Sequence, residues 1–381
     1  MGDITVRRAR PVDADAVAAF TADTWGDRHD DYLPRVFAEW VASDDDTQRT
    51  FVATVAAADA AATFGADAAG GGSENDDVGV DGAGVDDTTV VSGDGTGSAA
   101  AGEPEIVVGC VQGVLLSDWE SWAQGIRVNP IARGLGVGSR LSEAVLDWAA
   151  AAGATVCRNM VFSWNVAGLG QSRAVGFDPS TEFRFARPDP AAAPAALPDL
   201  AVDDPDPDAV WAFWSRSDAR DHLGGLGLDP GESWSCSQLT RDRVATASDE
   251  GRLVAVVDDG LVGFALHTRT WEREADDGSA DDQSADDGSA DDQSVDGGAG
   301  TSVADEPPVE RHAIYGSAAW RDAAAAGALL DAVAWDAADR DADHVRVFIP
   351  ETVDHVSDVA ANRVEVSAEP DFVMAADLTD R

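Results

Sequence analysis

The stretch Gly125-Ile-Arg-Val-Asn-Pro-Ile-Ala-Arg-Gly-Leu-Gly-Val-Gly-Ser-Arg-Leu141 decides how this chain can fold and what it can bind. An apolar, strand-like run stops at Pro130, and three glycines at alternate positions lead into an amphipathic helix that should begin near Ser139. Glycines let successive backbone N–H groups turn toward one point, and a helix N-terminus adds unpaired N–H groups and a positive dipole end. The stretch therefore predicts a site for a phosphate or pyrophosphate group.

Two familiar kinds of phosphate loop do not fit this stretch. A nucleoside-triphosphate loop needs a lysine that reaches the outer phosphates, and the chain has no lysine, since all 26 basic residues are arginine. A dinucleotide-binding G-x-G-x-x-G pattern would begin at Gly134 and Gly136, but its third glycine falls on Ser139. The next apolar run also lacks the acidic residue that this pattern requires at its end.

A third kind of loop fits. Arg133-x-x-Gly136-x-Gly138 resembles the [Q/R]-x-x-G-x-[G/A] loop of the GNAT superfamily of acetyl-CoA-dependent N-acetyltransferases. Val128-Asn-Pro130 is similar to the V-x-P strand end that precedes this loop in the family, and Asn165 is followed by Gly176-Phe177 at the family's N-x₁₀-G-F spacing. A glycine-rich turn in an ordinary βαβ unit is the alternative.

The resemblance implies an α/β (α+β) fold with a mixed, mostly antiparallel sheet flanked by helices. Residues 1–187 would form one GNAT-like, acetyl-CoA-binding domain, interrupted by an acidic low-complexity insert at 57–103. Residues 188–207, rich in Pro, Ala and Asp, would form a linker. Residues 208–381 repeat the element order of the first domain's second half, so we predict a tandem, diverged copy with an acidic repeat insert at 274–306.

The second copy lacks the glycine loop. If Arg321 is matched with Arg133, then Ala324 and Ala326 stand in place of glycines and Asp322 adds a carboxylate. Methyl groups would crowd a backbone that must approach pyrophosphate, and a carboxylate would repel it. We therefore expect this half to support the first half or to wall part of the acceptor pocket.

By resemblance, the chain would be an acyltransferase that moves an acetyl group directly from acetyl-CoA, its co-substrate, to an amine. The strand before the loop would polarise the thioester carbonyl through a backbone N–H group. The alternatives are a non-catalytic acyl-CoA-binding protein and a structural protein on a GNAT scaffold. The cofactor-binding residues implied by the match are Ile126, Arg127, Val128, Arg133, Gly134, Leu135, Gly136, Val137, Gly138, Ser139 and Asn165.

The catalytic acid and base are harder to assign. A general base should sit on the strand before the loop or just ahead of it, which makes Glu120 our first candidate and Asp118 our second. At the family spacing from Asn165, Ser172 stands where a tyrosine usually protonates the leaving thiolate, so Ser172 either acts as a weak acid or only hydrogen-bonds the sulfur. Asn165 either binds the pantetheine amide or caps its helix. Trp119, Trp122 and Trp164 either line an acceptor pocket or belong to the core.

The composition limits the partners. The formal charge of −45 repels nucleic acid and anionic membranes, and it is typical of a protein adapted to a high-salt, cytoplasmic environment where charge repulsion is screened. In such salt only nearby arginines would matter for a polyanionic ligand, and we expect Arg127, Arg133 and Arg140 around the loop. The three cysteines lie in apolar runs and predict buried free thiols. Neither the cysteines nor the histidines show metal-ligand spacing, so no metal is expected. The acceptor is a small-molecule or peptide amine that the sequence does not identify.

Overall fold

A computed structural model describes residues 3–26, 31–43, 45–64, 104–194, 200–202, 205–274 and 309–381. Most of both predicted inserts therefore lies outside the described residues, and so does part of the predicted linker. By its internal contacts the chain divides into two compact units. One contains Met1–Thr24, Leu33–Gln112 and Gly125–Val145, and the other contains Trp25–Tyr32, Gly113–Gln124 and Leu146–Arg381.

Up to residue 187 the described residues form six strands and five α-helices. The strands are β1 (Ile4–Arg8), β2 (Gln48–Ala56), β3 (Glu105–Leu115), β4 (Glu120–Val128), β5 (Val156–Phe162) and β6 (Asp178–Arg187), and the helices are α1 (Ala14–Thr21), α2 (Leu33–Ala42), α3 (Ala60–Phe64), α4 (Val137–Ala151) and α5 (Val166–Ala174).

The later elements follow a similar order, with two short strands and a helix added between residues 226 and 249. The strands are β7 (Ala201–Val202), β8 (Leu226–Leu228), β9 (Cys236–Gln238), β10 (Leu253–Val257), β11 (Leu261–Glu274), β12 (Val309–Trp320), β13 (His344–Pro350), β14 (Glu365–Val366) and β15 (Asp371–Asp377), and the helices are α6 (Pro207–Trp214), α7 (Asp218–His222), α8 (Arg241–Asp249), α9 (Ala323–Asp339) and α10 (Val353–Ala361).

In the first unit, β1 pairs antiparallel with β2, with Ile4 opposite Val55, and β3 and β4 follow in the sheet. The start of α4 packs closely on β3. A Cβ atom added at Gly109 would lie 2.9 Å from a Val137 methyl group and 3.0 Å from Leu141. The absence of a side chain at Gly109 therefore lets the N-terminus of α4 approach the sheet.

The second unit contains two parallel strand pairs. Residues Glu120–Trp122 of β4 pair parallel with β5, and β12 pairs parallel with β13, while the other strand pairs are antiparallel. The result is the expected mixed, mostly antiparallel sheet flanked by helices. The hairpin of β10 and β11 turns at Asp259 and Gly260, which both have positive φ.

The two halves of the chain exchange their closing strands. The last strand, β15, lies between β5 and β6 and pairs antiparallel with both. Conversely, β6 pairs antiparallel with β13 of the second half. The sequence shows each closing strand but not its partner, because strands of similar apolar alternation can pair equally well with either neighbour.

Apolar clusters cover both faces of this sheet. One contains the aromatic side chains of Trp122, Phe183, Phe264 and Phe348 together with α6 and α8. The other packs α9 against β12 and β13. Trp122 is 1% exposed, so it belongs to the core and does not line an acceptor pocket. Within the described residues, no helix has the length and apolarity needed to cross a membrane.

Helix α4 begins at Val137, two residues earlier than expected. Asp13 precedes α1 without capping it, and its carboxylate accepts hydrogen bonds from the Arg10 N–H (2.7 Å) and from Arg7 (2.8 Å). At the start of the predicted first insert, Ala57–Asp59 and Ala60–Phe64 form helical turns.

Candidate functional site

The glycine loop has the backbone conformation that its sequence demands. Asn129 accepts a hydrogen bond from Ile131 N–H at 3.1 Å and so begins a short 3₁₀ turn. Gly134 and Gly136 follow with φ of +77° and +79°, a left-handed region that residues with a Cβ rarely adopt. Helix α4 starts directly after them, so the loop delivers the chain to a helix N-terminus.

This loop has the features of an anion-binding site. The N–H groups of Val137, Gly138 and Ser139 belong to the first turn of α4, where they have no carbonyl partner one turn earlier. A Cβ atom added at Gly134 or Gly136 would meet nothing within 4 Å, so the space beside the loop is open. Unpaired N–H groups, the positive end of the helix dipole and open space together suit a phosphate group.

The arginines are arranged differently from our expectation. Arg140 turns away from the loop and donates to the Ile4 carbonyl at 2.8 Å, so it ties α4 to β1. Arg127 donates to the carbonyl of Ile126 at 3.1 Å. Arg133 is exposed at the loop itself, and we expect it to be the cation that a bound anion would meet.

Strand β4 contains a backbone irregularity just before the predicted thioester-binding segment. Gly125 has φ of +61°, and a Cβ atom there would lie 2.6 Å from the Trp40 ring. A left-handed residue inside a strand is typical of a β-bulge, which changes the direction of the N–H groups that follow. In sequence these are the groups of Ile126 to Val128, the predicted donors to the thioester.

Glu120 lies at the start of β4 and is held by several partners. Arg158 of β5 donates to Glu120 Oε1 at 2.6 Å, and the Gln238 N–H donates to the same oxygen at 3.0 Å. Ser117 donates to Glu120 Oε2 at 3.3 Å. The ion pair is buried, with the two side chains 4% and 8% exposed. Arg158 was not predicted, although a lone arginine inside an apolar strand could have suggested a buried carboxylate partner.

Asn165 and Ser172 both have structural partners. The Asn165 side chain accepts a hydrogen bond from Gly168 N–H at 2.9 Å and caps α5, which is the second of its two predicted roles. Ser172 is 2% exposed, and its Oγ accepts a hydrogen bond from Asn159 Nδ2 at 3.1 Å. The carbonyl oxygen of that Asn159 side chain is buried and has no hydrogen-bond partner, so it could accept from a ligand N–H.

In the second half, a carboxylate occupies the position that a phosphate would need. Asp322 caps α9 by accepting from Ala325 N–H at 3.0 Å, and Arg321 donates to the same carboxylate at 2.8 Å. These contacts lower the pKa of Asp322, the largest cause being the hydrogen bond from Arg321. The N-terminus of α9 is therefore already capped by a carboxylate of the chain itself.

The remaining residues considered for the site are tryptophans and cysteines. Trp164 stacks on Phe162 with ring centroids 5.1 Å apart, and Trp119 is 42% exposed. Cys110, Cys157 and Cys236 are free and buried, as predicted, and burial raises the pKa of Cys157 and Cys236 to about 12.

One group of side chains has the composition of a metal site. The potential ligand atoms of Glu310, His312 and His344 lie within 4.8 Å of one another. The two histidine rings stack with their centroids 4.6 Å apart and an interplanar angle of 26°.

Comparisons with known proteins agree with this geometry. Residues 87–170, which include the glycine loop and most of α5, match the model of the acetyltransferase (GNAT) family. No curated protein sequence matches the chain significantly.

Among solved structures, a GCN5-related N-acetyltransferase from Sphaerobacter thermophilus is 12% identical with a TM-score of 0.51, and the match covers 98% of this chain and 96% of that one. A tandem GNAT protein from the clavulanic acid biosynthesis pathway is also 12% identical, over the full length of both chains, with a TM-score of 0.46. The ribosomal-protein-S18-alanine N-acetyltransferase from Escherichia coli is 14% identical over 48% of this chain and 82% of that one, with a TM-score of 0.29. At these identities only the fold of the first can be compared, and that fold extends over nearly the whole chain. The chain thus has a GNAT-like fold, and its residues 87–170 match the model of the GNAT acetyltransferase family.

Proposed function

We propose that the protein is an N-acetyltransferase that moves an acetyl group from acetyl-CoA directly to a primary amine of a small molecule or a peptide. The glycine loop supports this most strongly, because Gly134 and Gly136 have left-handed backbones and lead directly into the N-terminus of α4. In the proposal, the N–H groups from Gly134 to Ser139 bind the pyrophosphate, and Arg133 adds a charge-assisted contact.

The other residues predicted from the sequence have binding or structural roles. The N–H groups of Ile126 to Val128 polarise the thioester carbonyl. Asn165 acts by capping α5, while Ser172 orients Asn159 rather than serving as a strong acid. Glu120 positions β4 against β5, since both of its oxygens are already engaged.

A non-catalytic acyl-CoA-binding protein is the second candidate. It is favoured by the engagement of Glu120 and by the burial of Ser172, which leave the two predicted proton-transfer groups with structural partners.

The two candidates are distinguished by measuring CoA thiol release with polyamines, aminoglycosides, arylamines and short peptides in concentrated KCl. Binding of acetyl-CoA is measured in parallel. Turnover of any amine above the hydrolysis background supports the enzyme. Binding without turnover across the panel supports the second candidate, and the absence of binding contradicts both.

The cellular setting is also part of the proposal. Free, buried cysteines fit a reducing cytoplasm, and the charge of −45 disfavours nucleic acid and anionic membranes as partners. The acceptor is therefore expected to be neutral or cationic overall.

A further inference from the structure

A cleft lies within the second compact unit. It encloses about 320 Å³, including space that is open to solvent. The lining residues that decide its chemistry are Phe185, Trp234, Arg269, Trp271, Ile314 and Arg346. None of them belongs to the glycine loop or to β4, and none has a role in the proposed acetyl transfer.

Two arginines flank one isoleucine in the sheet beside this cleft. Arg269 of β11 is paired with Ile314 of β12, which is paired in turn with Arg346 of β13. Residues that lie directly opposite one another on neighbouring strands share a face of the sheet. The two arginine side chains therefore leave the sheet on either side of an apolar one, and both line the same space.

Aromatic rings hold the cation of Arg346 and form walls of the cleft. The guanidinium carbon lies 6.0 Å from the centroid of the Phe185 ring and 5.9 Å from that of Trp234, within the range of cation–π contacts. Trp234 has φ of +59°, a conformation that is costly for a bulky residue and recurs at functional sites. Trp271 stacks on His312 with ring centroids 4.1 Å apart. The cleft thus combines flat apolar surfaces with a positioned cation.

The nitrogen groups that line the cleft are hydrogen-bond donors. Guanidinium groups donate only, and so does the indole N–H of Trp271. Trp271 Nε1 is buried, and among the residues that the structure describes none accepts a hydrogen bond from it. A buried donor of this kind costs free energy unless a ligand or water accepts from it. Arg269 is fixed by donating to Ser233 Oγ at 2.9 Å and to the Asp229 carbonyl at 3.3 Å. The cleft therefore suits a ligand that accepts hydrogen bonds.

The carboxylates of the chain balance these cations only in part. Burial raises the pKa of Asp371 to about 7, although the charge of Arg346 lowers it. A carboxyl group with that pKa is only about half ionised at neutral pH, so it does not fully neutralise Arg346. Burial likewise raises the pKa of Glu232, against the charge of Arg269, which lowers it. An anionic ligand would supply the charge that is missing.

We propose that this cleft binds a small organic anion, namely a carboxylate attached to an aromatic ring. The carboxylate lies between Arg269 and Arg346 and accepts from the Trp271 N–H group, while the ring packs on Ile314 and Trp234. Two arginines match the two oxygens of a carboxylate. The apolar walls favour a singly charged ligand with a ring over a compact, multiply charged anion, whose desolvation costs more.

Benzoate is the probe for this site. It is titrated calorimetrically into the full-length protein at a fixed, high KCl concentration, beside benzamide, which keeps the ring without the charge, and acetate, which keeps the charge without the ring. We expect benzoate to bind at one site and to raise Tm. Benzamide and acetate should each bind roughly tenfold more weakly or less. Equal affinity for benzoate and either control would contradict the proposal.

Two conservative variants test the residues. Arg346→Lys keeps the charge but loses the planar fork, and Trp271→Phe keeps a ring but loses the N–H group. Each should weaken benzoate binding roughly tenfold, with folding checked by circular dichroism. Arg241→Lys is the matched control, since Arg241 is 63% exposed and pairs with Asp208, and it should bind benzoate like wild type. If Arg346→Lys does not fold, Trp271→Phe still decides. Unchanged affinity in the folded variants, or an equal loss in Arg241→Lys, would overturn the assignment.

Discussion

Single residues in the glycine loop are constrained by backbone conformation more than by packing. Gly136 has φ of +79° with open space around it, so Gly136→Val should leave the fold intact at a cost of about 1–2 kcal/mol and abolish acetyl-CoA binding. The reason is that the new side chain covers N–H groups that must reach a phosphate. Calorimetric titration with acetyl-CoA measures the loss.

A matched glycine provides the control for this experiment. Gly170 lies inside α5, is exposed and has no atom within 4 Å of an added Cβ. Gly170→Val should bind acetyl-CoA like wild type. Unchanged affinity in Gly136→Val, or an equal loss in both variants, would show that the loop is not the pyrophosphate site.

The stability of the protein also depends on single residues in the buried ion pair of Glu120 and Arg158. Because both groups are buried, Arg158→Met should leave an uncompensated carboxylate and cost about 3–5 kcal/mol of unfolding free energy. Urea denaturation monitored by tryptophan fluorescence measures it. Arg241→Met removes one partner of the exposed pair with Asp208, whose side chains are 63% and 65% exposed, and should hardly shift the midpoint. Equal shifts in the two variants would mean that burial is not what makes the Glu120 pair important.

Individual elements were largely predictable because local signals specify them. Pro130 and the glycines fix the boundary between β4 and α4, and the apolar repeat through Leu141 and Val145 fixes the buried face of α4. The pairing of β15 was not predictable, since its sequence specifies a strand without specifying a neighbour. Arg158 was missed as a site residue for the same reason. It is far from Glu120 in sequence, and only the tertiary fold brings the two side chains together.

The exchange of closing strands has a testable consequence at the level of elements. A fragment of residues 1–187 keeps β5 and β6 but lacks β15, so two strand edges lose their hydrogen-bond partner. We expect this fragment to aggregate or remain unfolded. Appending residues 364–381 through a short Gly/Ser linker should restore a folded, monomeric fragment, as judged by size-exclusion chromatography and circular dichroism. A folded 1–187 fragment without the appended strand would contradict this pairing.

The net charge acts on the molecule as a whole. Seventy-one acidic side chains stand against 26 basic ones, and their repulsion reaches across the protein when the Debye length is about 30 Å, at about 0.01 M salt. At about 1 M salt that length falls to about 3 Å, so repulsion no longer opposes the compact state. We therefore expect Tm, measured by calorimetry, to rise steeply with KCl and to rise equally with NaCl, because screening depends on ionic strength alone. Sucrose, which stabilises proteins without screening, separates the charge effect from general stabilisation by solutes. A Tm that is the same at both ends of the KCl range would show that the carboxylates do not oppose folding.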